Sequence, residues 1–167
     1  PFIQIDAVES VREGDQRVAE FYQLAFPAWT NIIAVTPQQE MVLIRQFRHG
    51  IMARTLEIPG GIVNVGEPPV DAARRELREE TGFSAPEMIP IAQIAPNPAI
   101  QTNWCHVFLA EQARCTSDTD FDADEEIRVE LVPVDEVWAR VAAGELVNGV
   151  VLAALLHAFA YWRQSPR

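Results

Sequence analysis

Cysteine is scarce in this 167-residue chain, which contains only Cys105 and Cys115. Two cysteines do not make the disulfide framework of a small secreted protein, and a chain of this length can bury a core without cross-links. The amino-terminal segment PFIQIDAVES lacks the basic and apolar regions of a signal peptide. Because it starts on Pro rather than Met, we expect that a short leader was trimmed or left out. These features predict one domain, residues 1–167, in the reducing cytoplasm.

Basic residues are also few, since 13 Lys and Arg stand against 24 Asp and Glu and the net charge is −11. A nucleic-acid-binding chain would carry a basic patch, so the composition argues against nucleic acid as a partner. An acidic chain also repels phosphate groups unless cations lie between them. Carboxylates recruit such cations, so phosphate chemistry on this chain predicts a metal ion.

The chain has no uninterrupted apolar run of the roughly 20 residues that a membrane-spanning helix needs. The segment LVNGVVLAALLHAFAYW, residues 146–162, is interrupted by Asn148, Gly149 and His157. It therefore predicts a buried or dimer-facing helix and no membrane partner. The chain also lacks a Ser-His-Asp arrangement, a Walker-type loop and histidines at metal-ligand spacing, which leaves these chemistries without candidates.

Short apolar segments separated by turn residues make up most of the chain. They predict strands at 2–8, 17–25, 29–36, 41–47, 55–59, 88–95, 104–110 and 127–133. Helices are predicted at 69–81, from a cap at Asp135 to Gly144, and from about residue 147 onward. This order predicts an α/β fold with a mixed β-sheet between helices. The strands within residues 1–28 would form an amino-terminal antiparallel extension.

The segment RRELREETGF, residues 74–83, carries the densest charge on the predicted helix. Residues three and four positions apart share one helix face, so Glu76, Glu79 and Glu80 lie together. Taken alone, the segment favours a solvated face whose acids are balanced by its three arginines. The alternative is a cation site, because clustered carboxylates repel one another unless a positive charge lies among them.

The spacing upstream favours the cation site. From Gly61, five residues lead to Glu67, and seven more lead to Arg75-Glu76-Leu77. One residue later come Glu79-Glu80, and after one more residue Gly82-Phe83. Seven fixed and two class-restricted positions match by chance at a rate on the order of 10⁻⁸ per start site. Residues 61–83 match the signature box of the Nudix hydrolases position for position, and the chain resembles that family.

The resemblance implies a Nudix-type α/β/α sandwich and a metal site. Glu76, Glu79 and Glu80 would be hard oxygen ligands for Mg²⁺, with Mn²⁺ as a substitute, and the Gly60 carbonyl would add a ligand. Glu79 and Glu80 would also count as catalytic residues. Arg75 would hold the acids in orientation. The opposite helix face is predicted to pack on the sheet through Val70, Ala73 and Leu77.

The stretch LIRQFRHGIMARTLEIPGG, residues 43–61, resembles the ADP-ribose and nucleoside-diphosphate-sugar pyrophosphatases of the family. Those enzymes carry a Gln-Tyr/Phe-Arg element followed by Glu-Ile/Leu-Pro-Ala/Gly-Gly. Pro98 lies fifteen residues beyond Phe83, about where that group has a characteristic proline. The chain departs from the group at PNPAIQTN, where many members have Ser-Pro-Gly and then an acid. The resemblance, over residues 17–160, implies cleavage of a nucleoside diphosphate sugar into a nucleoside monophosphate and a sugar phosphate.

Several predicted site residues have alternatives. Arg48 would contact a phosphate or form a surface ion pair. Glu57 would ligate a second metal, hold Arg48 or be an ordinary strand-end acid, and Trp29 would stack on a base or belong to the core. The acidic loop is the segment SDTDFDADEE, residues 117–126. In related enzymes the loop at the corresponding place supplies a base or an extra metal ligand, which predicts Glu125 or Glu126 for that role. The other acids of the loop are predicted to be solvated, namely Asp118, Asp120 and Asp122.

Two other functions stay open at this point. One is a Nudix hydrolase of nucleoside triphosphates or dinucleoside polyphosphates. The other is a non-catalytic module that binds ADP-ribose and regulates a partner, although the complete box disfavours it. A homodimer is expected, because the amino-terminal strands and the apolar last helix offer surface beyond one small core. The related pyrophosphatases pair through swapped amino-terminal segments.

Overall fold

The computed structural model describes residues 3–121 and 126–164. The strands in these ranges are β1 (Gln4–Val11), β2 (Val18–Ala25), β3 (Trp29–Val35), β4 (Glu40–Arg48), β5 (Ala53–Glu57), β6 (Phe83–Ser84), β7 (Ile89–Ile94), β8 (Cys105–Glu111), β9 (Arg114–Cys115) and β10 (Arg128–Pro133). The helices are α1 (Pro69–Thr81), α2 (Val137–Ala142) and α3 (Gly149–Gln164). None of the helices described here is long and apolar enough to cross a membrane.

The central sheet has six strands in the order β10-β4-β3-β8-β7, with β5 also paired to β4. Strands β3 and β8 run parallel, with Trp29 opposite Cys105, whereas the other pairs in the sheet are antiparallel. Strands β1 and β2 form a separate antiparallel hairpin, and β6 pairs with β9. The predicted mixed sheet and amino-terminal antiparallel extension are therefore confirmed.

The two faces of the sheet carry separate apolar clusters because successive side chains of a strand point to opposite faces. Ile32 of β3 belongs to the cluster that contains Leu77 of α1. Ile33, the next residue, belongs to the cluster that contains Leu155 of α3. The predicted packing face of α1 is also confirmed, since Ala73 and Leu77 are fully buried and Val70 packs against them. The result is an α/β/α sandwich.

Helix α1 has the predicted bounds, and its ends explain why. Pro69 occupies the first turn, where its missing N–H removes no helical hydrogen bond. Gly82 follows the last residue in the left-handed region at φ 74°, and its N–H donates to the Arg78 carbonyl at 2.8 Å. A Cβ on Gly82 would lie 2.3 Å from the Ser117 carbonyl oxygen, so the acidic loop passes close to this end of the helix.

The predicted cap at Asp135 is wrong. A 3-10 turn over Val134–Glu136 leads directly into α2, and Glu136 occupies the cap position without a side-chain hydrogen bond. A capping side chain needs an extended backbone at the cap residue, whereas Glu136 is already helical at φ −85° and ψ −15°. The helix also ends slightly earlier than predicted, at Ala142.

Candidate active site

Two adjoining cavities lie where β3, the β5–α1 loop and α1 meet. The acidic cavity, of about 500 Å³, is lined by Gln46, Arg48, Gly60, Gly61, Ile62, Asn64, Arg75, Glu76, Glu79, Glu80 and Asp120. The Trp29 cavity, of about 320 Å³, is lined by Trp29, Thr30, Asn31, Arg48, Glu57, Gly60, Gly61, Ile62, Asn148 and Val150. The shared lining residues are Arg48 and the segment Gly60–Ile62, so one ligand can extend into both cavities.

Arg75 is the centre of the acidic cavity. Its Nε and Nη2 donate to the two Glu67 carboxylate oxygens, each at 3.0 Å. Its Nη1 donates to Glu76 Oε1 at 2.7 Å and to Glu79 Oε2 at 3.1 Å, and Nη2 also donates to the Ile62 carbonyl at 2.9 Å. One guanidinium therefore fixes three carboxylates and the backbone of the box. This geometry is the orienting contact predicted for Arg75.

The ion pair between Arg75 and Glu67 shifts the pKa values of both groups. The hydrogen bond from Arg75, followed by the one from the Asn64 N–H, lowers the pKa of Glu67 to about 2. The same bond, assisted by Glu76 and Glu79, raises the pKa of Arg75 above its ordinary value. Glu67 is therefore ionised at all physiological pH values and Arg75 always carries its positive charge.

Two glycines allow the loop before α1 to lie close to these acids. The Gly60 N–H donates to Glu80 Oε2 at 2.8 Å, and Glu80 is buried with 4% exposure. A Cβ on Gly60 would lie 2.2 Å from the Thr30 carbonyl oxygen, and a Cβ on Gly61 would lie 2.3 Å from the Glu76 carboxyl carbon. Any side chain at Gly61 would thus occupy the place of a predicted metal ligand.

The donor set fits a hard divalent cation. Carboxylate oxygens and a backbone carbonyl are the ligands that Mg²⁺ prefers. The Glu76 carboxylate occupies the space that a side chain at Gly61 would need. Across the described residues, no three His, Cys, Asp or Glu side chains converge closely enough to enclose an ion. Arg75 Nη1 donates to both Glu76 and Glu79 at this place. A cation bound here would compete with Arg75 for these oxygens.

Glu57 holds Arg48 at the junction of the two cavities. Both Glu57 oxygens accept from the Arg48 guanidinium, each at 2.8 Å, and they accept further bonds from Thr55 Oγ1 at 2.6 Å and Asn148 Nδ2 at 2.9 Å. Burial by itself would raise the pKa of Glu57, but the Arg48 charge and the other hydrogen bonds outweigh it, and the pKa is lowered. Of the alternatives for Glu57, the structure shows the one in which it holds Arg48.

Trp29 packs against the apolar cluster on the α3 face, as its core alternative predicted, and it also lines the Trp29 cavity. Stacking of Trp29 on a base stays a prediction. Asn31 lies two residues further along β3 and so faces the same side of the sheet. Asn148 lies opposite, where its Oδ1 accepts from the Val150 N–H at the start of α3. The Trp29 cavity therefore lies between the first residues of β3 and of α3.

The acidic loop contributes in a way that the sequence did not indicate. Asp120 is exposed, as predicted for a solvated residue, yet it lines the acidic cavity, and its N–H donates to the Glu79 carbonyl at 2.8 Å. Glu126 is 78% exposed and pairs with Arg54 at 2.7 Å in a cavity that borders Arg48. Glu125, the other predicted base, lies outside the described residues.

Pro98 is not brought to either cavity. It lies exposed in the turn after β7. The following residues are tied to the amino-terminal hairpin, since the Leu24 N–H donates to the Ile100 carbonyl at 2.7 Å and the Thr102 N–H donates to the Leu24 carbonyl at 3.2 Å. These bonds hold the loop beside β2 and away from the two cavities. A substrate-binding role for Pro98 stays a prediction.

Sequence reasoning missed several residues that line the cavities, among them Asn31, Asp120 and Asn148. Asn31 left a signal, because it is an amide on a core-facing position of the mostly apolar segment WTNIIAV. Asn148 precedes the apolar helix as a capping residue would. Asp120 left no signal that distinguishes it from the acids beside it.

Comparison with known proteins agrees with this geometry. Residues 26–155 match the NUDIX domain family. The chain is 28% identical over 149 residues to the ADP-ribose pyrophosphatase of Bacillus subtilis (strain 168), covering 89% of this chain and 80% of the relative. It is 31% identical over 140 residues to the ADP-ribose pyrophosphatase of Mycobacterium tuberculosis (strain ATCC 25618 / H37Rv), covering 81% and 68%. The crystal structure of an ADP compounds hydrolase superposes with a TM-score of 0.85 at 18% identity, covering 99% of this chain and 89% of that one, which shows the fold.

The chain therefore belongs to the Nudix family, as its signature box predicted. It is a Nudix hydrolase similar to the ADP-ribose pyrophosphatases, and its fold is the Nudix α/β/α sandwich. Nudix hydrolases generally use a divalent metal ion, which agrees with the oxygen donors of the acidic cavity.

Proposed function

We propose that the protein hydrolyses the pyrophosphate bond of ADP-ribose or a related nucleoside diphosphate sugar in a Mg²⁺-dependent reaction. The observation that carries this proposal is the junction of the two cavities at Arg48 and Gly60–Ile62. The acidic cavity suits a cation-bound diphosphate, and the Trp29 cavity suits an uncharged group attached to it. The names of the two ADP-ribose pyrophosphatases similar to this chain support the same substrate class.

The metal in this proposal is held by Glu76, Glu79, Glu80 and the carbonyl of Gly60. Bound Mg²⁺ supplies charge neutralisation for the diphosphate and lowers the pKa of a coordinated water, and Mn²⁺ can replace it. Arg75 keeps the carboxylates oriented through the hydrogen bonds described above. The acids therefore meet the phosphates through a cation, which reconciles a phosphate substrate with a strongly acidic chain.

The remaining residues bind the substrate and accept a proton. The Arg48 guanidinium, held by Glu57, lies at the junction where a phosphate oxygen would pass from one cavity to the other. A water attacks one phosphorus, its proton passes to an acid of the loop, and the bond from that phosphorus to the bridging oxygen breaks. Glu125, Glu126 and Asp120 are the proton acceptors proposed. With ADP-ribose the products are AMP and ribose 5-phosphate.

The test is direct. Purified protein is incubated with ADP-ribose and Mg²⁺, and AMP and ribose 5-phosphate are quantified by chromatography. We expect both products in equal amounts, and the Glu79→Gln/Glu80→Gln variant should be slower by at least about a hundredfold. Gln at position 80 keeps an oxygen that can accept from the Gly60 N–H, so the loop should stay in place.

The control for that variant is Arg74→Gln, which changes an exposed residue of the same helix. Its rate should stay within about twofold of the wild type. An unimpaired glutamine double variant would refute the assignment of the metal site. Release of pyrophosphate from nucleoside triphosphates, with ADP-ribose untouched, would instead support a nucleotide pyrophosphohydrolase.

The proposal includes a homodimer in the reducing cytoplasm. The β1–β2 hairpin exposes several large apolar side chains on its two faces, namely Ile5, Val11, Val18, Phe21 and Tyr22. Both cysteines are unpaired, with Cys105 buried and Cys115 exposed, which suits a reducing compartment. Light scattering should give twice the chain mass of 18.7 kDa, and a mass of one chain would refute the dimer.

A further inference from the structure

The Asn31 carboxamide is a buried polar group without a partner. Its residue is only 9% exposed, and it makes no hydrogen bond within the described part of the chain. It lines the Trp29 cavity, and its Oδ1 lies 2.6 Å from the place that a Cβ on Gly60 would take. Because buried amides in proteins are usually hydrogen-bonded, one that opens into a cavity indicates a ligand.

The other polar side chains of the Trp29 cavity already have hydrogen-bond partners. Thr30 Oγ1 donates to the His106 carbonyl at 3.1 Å. Asn148 uses its Oδ1 on the Val150 N–H and its Nδ2 on Glu57. Arg48 and Glu57 form a bidentate pair whose charges compensate each other. The cavity is thus nearly neutral, and Asn31 offers its donors and its acceptor to whatever enters.

The chemistry of Asn31 fits one edge of a nucleobase. A carboxamide holds an N–H donor and an oxygen acceptor in one plane, and it can pair with the N6 amino group and N7 of adenine at once. Guanine presents two acceptors, O6 and N7, on the same edge, so only one of the two bonds can form. The indole of Trp29, on the same face of β3, offers an aromatic surface for the base to stack on.

We propose that Asn31 determines nucleobase specificity and that the Trp29 cavity receives adenine. This inference rests on the proposed function for the position of the diphosphate in the acidic cavity. Gly60 is part of the same arrangement, because a side chain at position 60 would displace the Asn31 carboxamide. Gly60, which brings the backbone close to Glu80, therefore also leaves room for the Asn31 carboxamide.

The experiment measures binding, so it does not depend on hydrolysis. The dissociation constants of α,β-methylene-ADP and α,β-methylene-GDP are measured by calorimetry with Mg²⁺, since these ligands differ only in the base. The wild type should prefer the adenine ligand by roughly ten- to a hundredfold. In Asn31→Ala the preference should fall to within about twofold. Asn31→Ser, which keeps a smaller polar group, should also lose it and serves if the alanine variant is unstable.

Asn103→Ala is the matched control. Asn103 is also a buried amide, 5% exposed and without a hydrogen bond inside the described ranges, but it lines neither cavity. Its replacement should leave the base preference unchanged. Equal affinity of the wild type for both ligands, or a preference that survives in Asn31→Ala and Asn31→Ser, would overturn the inference.

Two further results distinguish a failure of the base assignment from a failure of the proposed function. Weaker binding of ribose 5-phosphate to Asn31→Ala, with the base preference intact, would show that the cavity takes the sugar, and it would also overturn the inference. A clear adenine preference in a protein that releases no AMP from ADP-ribose would refute the proposed function alone. The base assignment would then stand.

Discussion

The acidic cavity and the Trp29 cavity share a wall but are built differently. In the acidic cavity Arg75 contacts the carboxylates of Glu67, Glu76 and Glu79 at 2.7 to 3.1 Å. In the Trp29 cavity Arg48 and Glu57 form a bidentate ion pair, and the Asn31 amide has no partner in the described structure. The first arrangement suits a cation and phosphates, and the second suits a neutral group. The acidic cavity thus matches the charged diphosphate of a nucleoside diphosphate, and the Trp29 cavity matches its uncharged part.

Gly61→Ala is expected to cause the largest loss of activity, and it should act through the acidic cavity. The new Cβ would overlap the Glu76 carboxylate, so the acidic cavity should lose a metal ligand while the Trp29 cavity keeps its amide. Hydrolysis of ADP-ribose should fall on the order of a hundredfold. Gly50→Ala is the control, because a Cβ at Gly50 meets no atom within 4 Å. Equal rates for the two variants would contradict the close approach at Gly61.

Arg75→Lys should have the next largest effect. A lysine keeps the positive charge but cannot hold the two oxygens of Glu67 and contact Glu76 and Glu79 at the same time. We expect a loss of about ten- to a hundredfold in kcat, measured as AMP release at saturating ADP-ribose. Arg74→Lys, on the exposed side of the same helix, should change kcat by less than about twofold. If both variants behave alike, Arg75 acts only through its charge.

Glu57→Gln tests the boundary between the cavities. The variant replaces a carboxylate that accepts four hydrogen bonds and leaves Arg48 less firmly held. The free energy of unfolding should fall by about 1–3 kcal/mol in urea titrations. KM for ADP-ribose should rise more than kcat falls, because Arg48 contributes to phosphate binding. A lower kcat at constant KM would instead assign Glu57 to the chemical step.

The smallest expected effect is a pH dependence of the free energy of unfolding. It comes from Glu67, whose carboxylate is held by Arg75 of the acidic cavity. The folded-state pKa of Glu67 is about 2 against 4.5 for an ordinary glutamate. Its ionised form therefore adds stability that is fully present above about pH 4.5 and is lost as the pH falls toward 2. Urea unfolding should show Glu67→Gln less stable than the wild type at pH 7, with a smaller difference at pH 3. The exposed control Glu9→Gln should show no such trend, and a constant difference for Glu67→Gln would contradict the account.

The sequence predicted the acidic half of the site because local geometry determines it. Glu76, Glu79 and Glu80 share a face on any helix, and Pro69 and Gly82 mark where that helix begins and ends. The apolar segment of residues 29–36 likewise predicted the strand that is β3 in the structure. These features depend on residues a few positions apart, so the order of the elements and the mixed sheet could be predicted as well.

The neutral half was predicted only at Trp29, Arg48 and Glu57, because its two amides come from distant parts of the chain. Asn31 and Asn148 meet only after the start of β3 is placed against the start of α3. Asp120 reaches the acidic cavity through a backbone hydrogen bond to Glu79, which no pattern of side chains reveals. The wrong cap at Asp135 has a similar origin, since its backbone conformation is set by the 3-10 turn after β10.

The central claim, that the acidic cavity holds a divalent cation through the box glutamates, is tested most directly by Mn²⁺ titration. Binding is followed by electron paramagnetic resonance of the free ion, with the wild type and the Glu79→Gln/Glu80→Gln variant. Circular dichroism should first show that both are folded. We predict that the double variant binds Mn²⁺ at least about tenfold more weakly. Equal affinity in the two proteins would place the cation elsewhere and contradict the account.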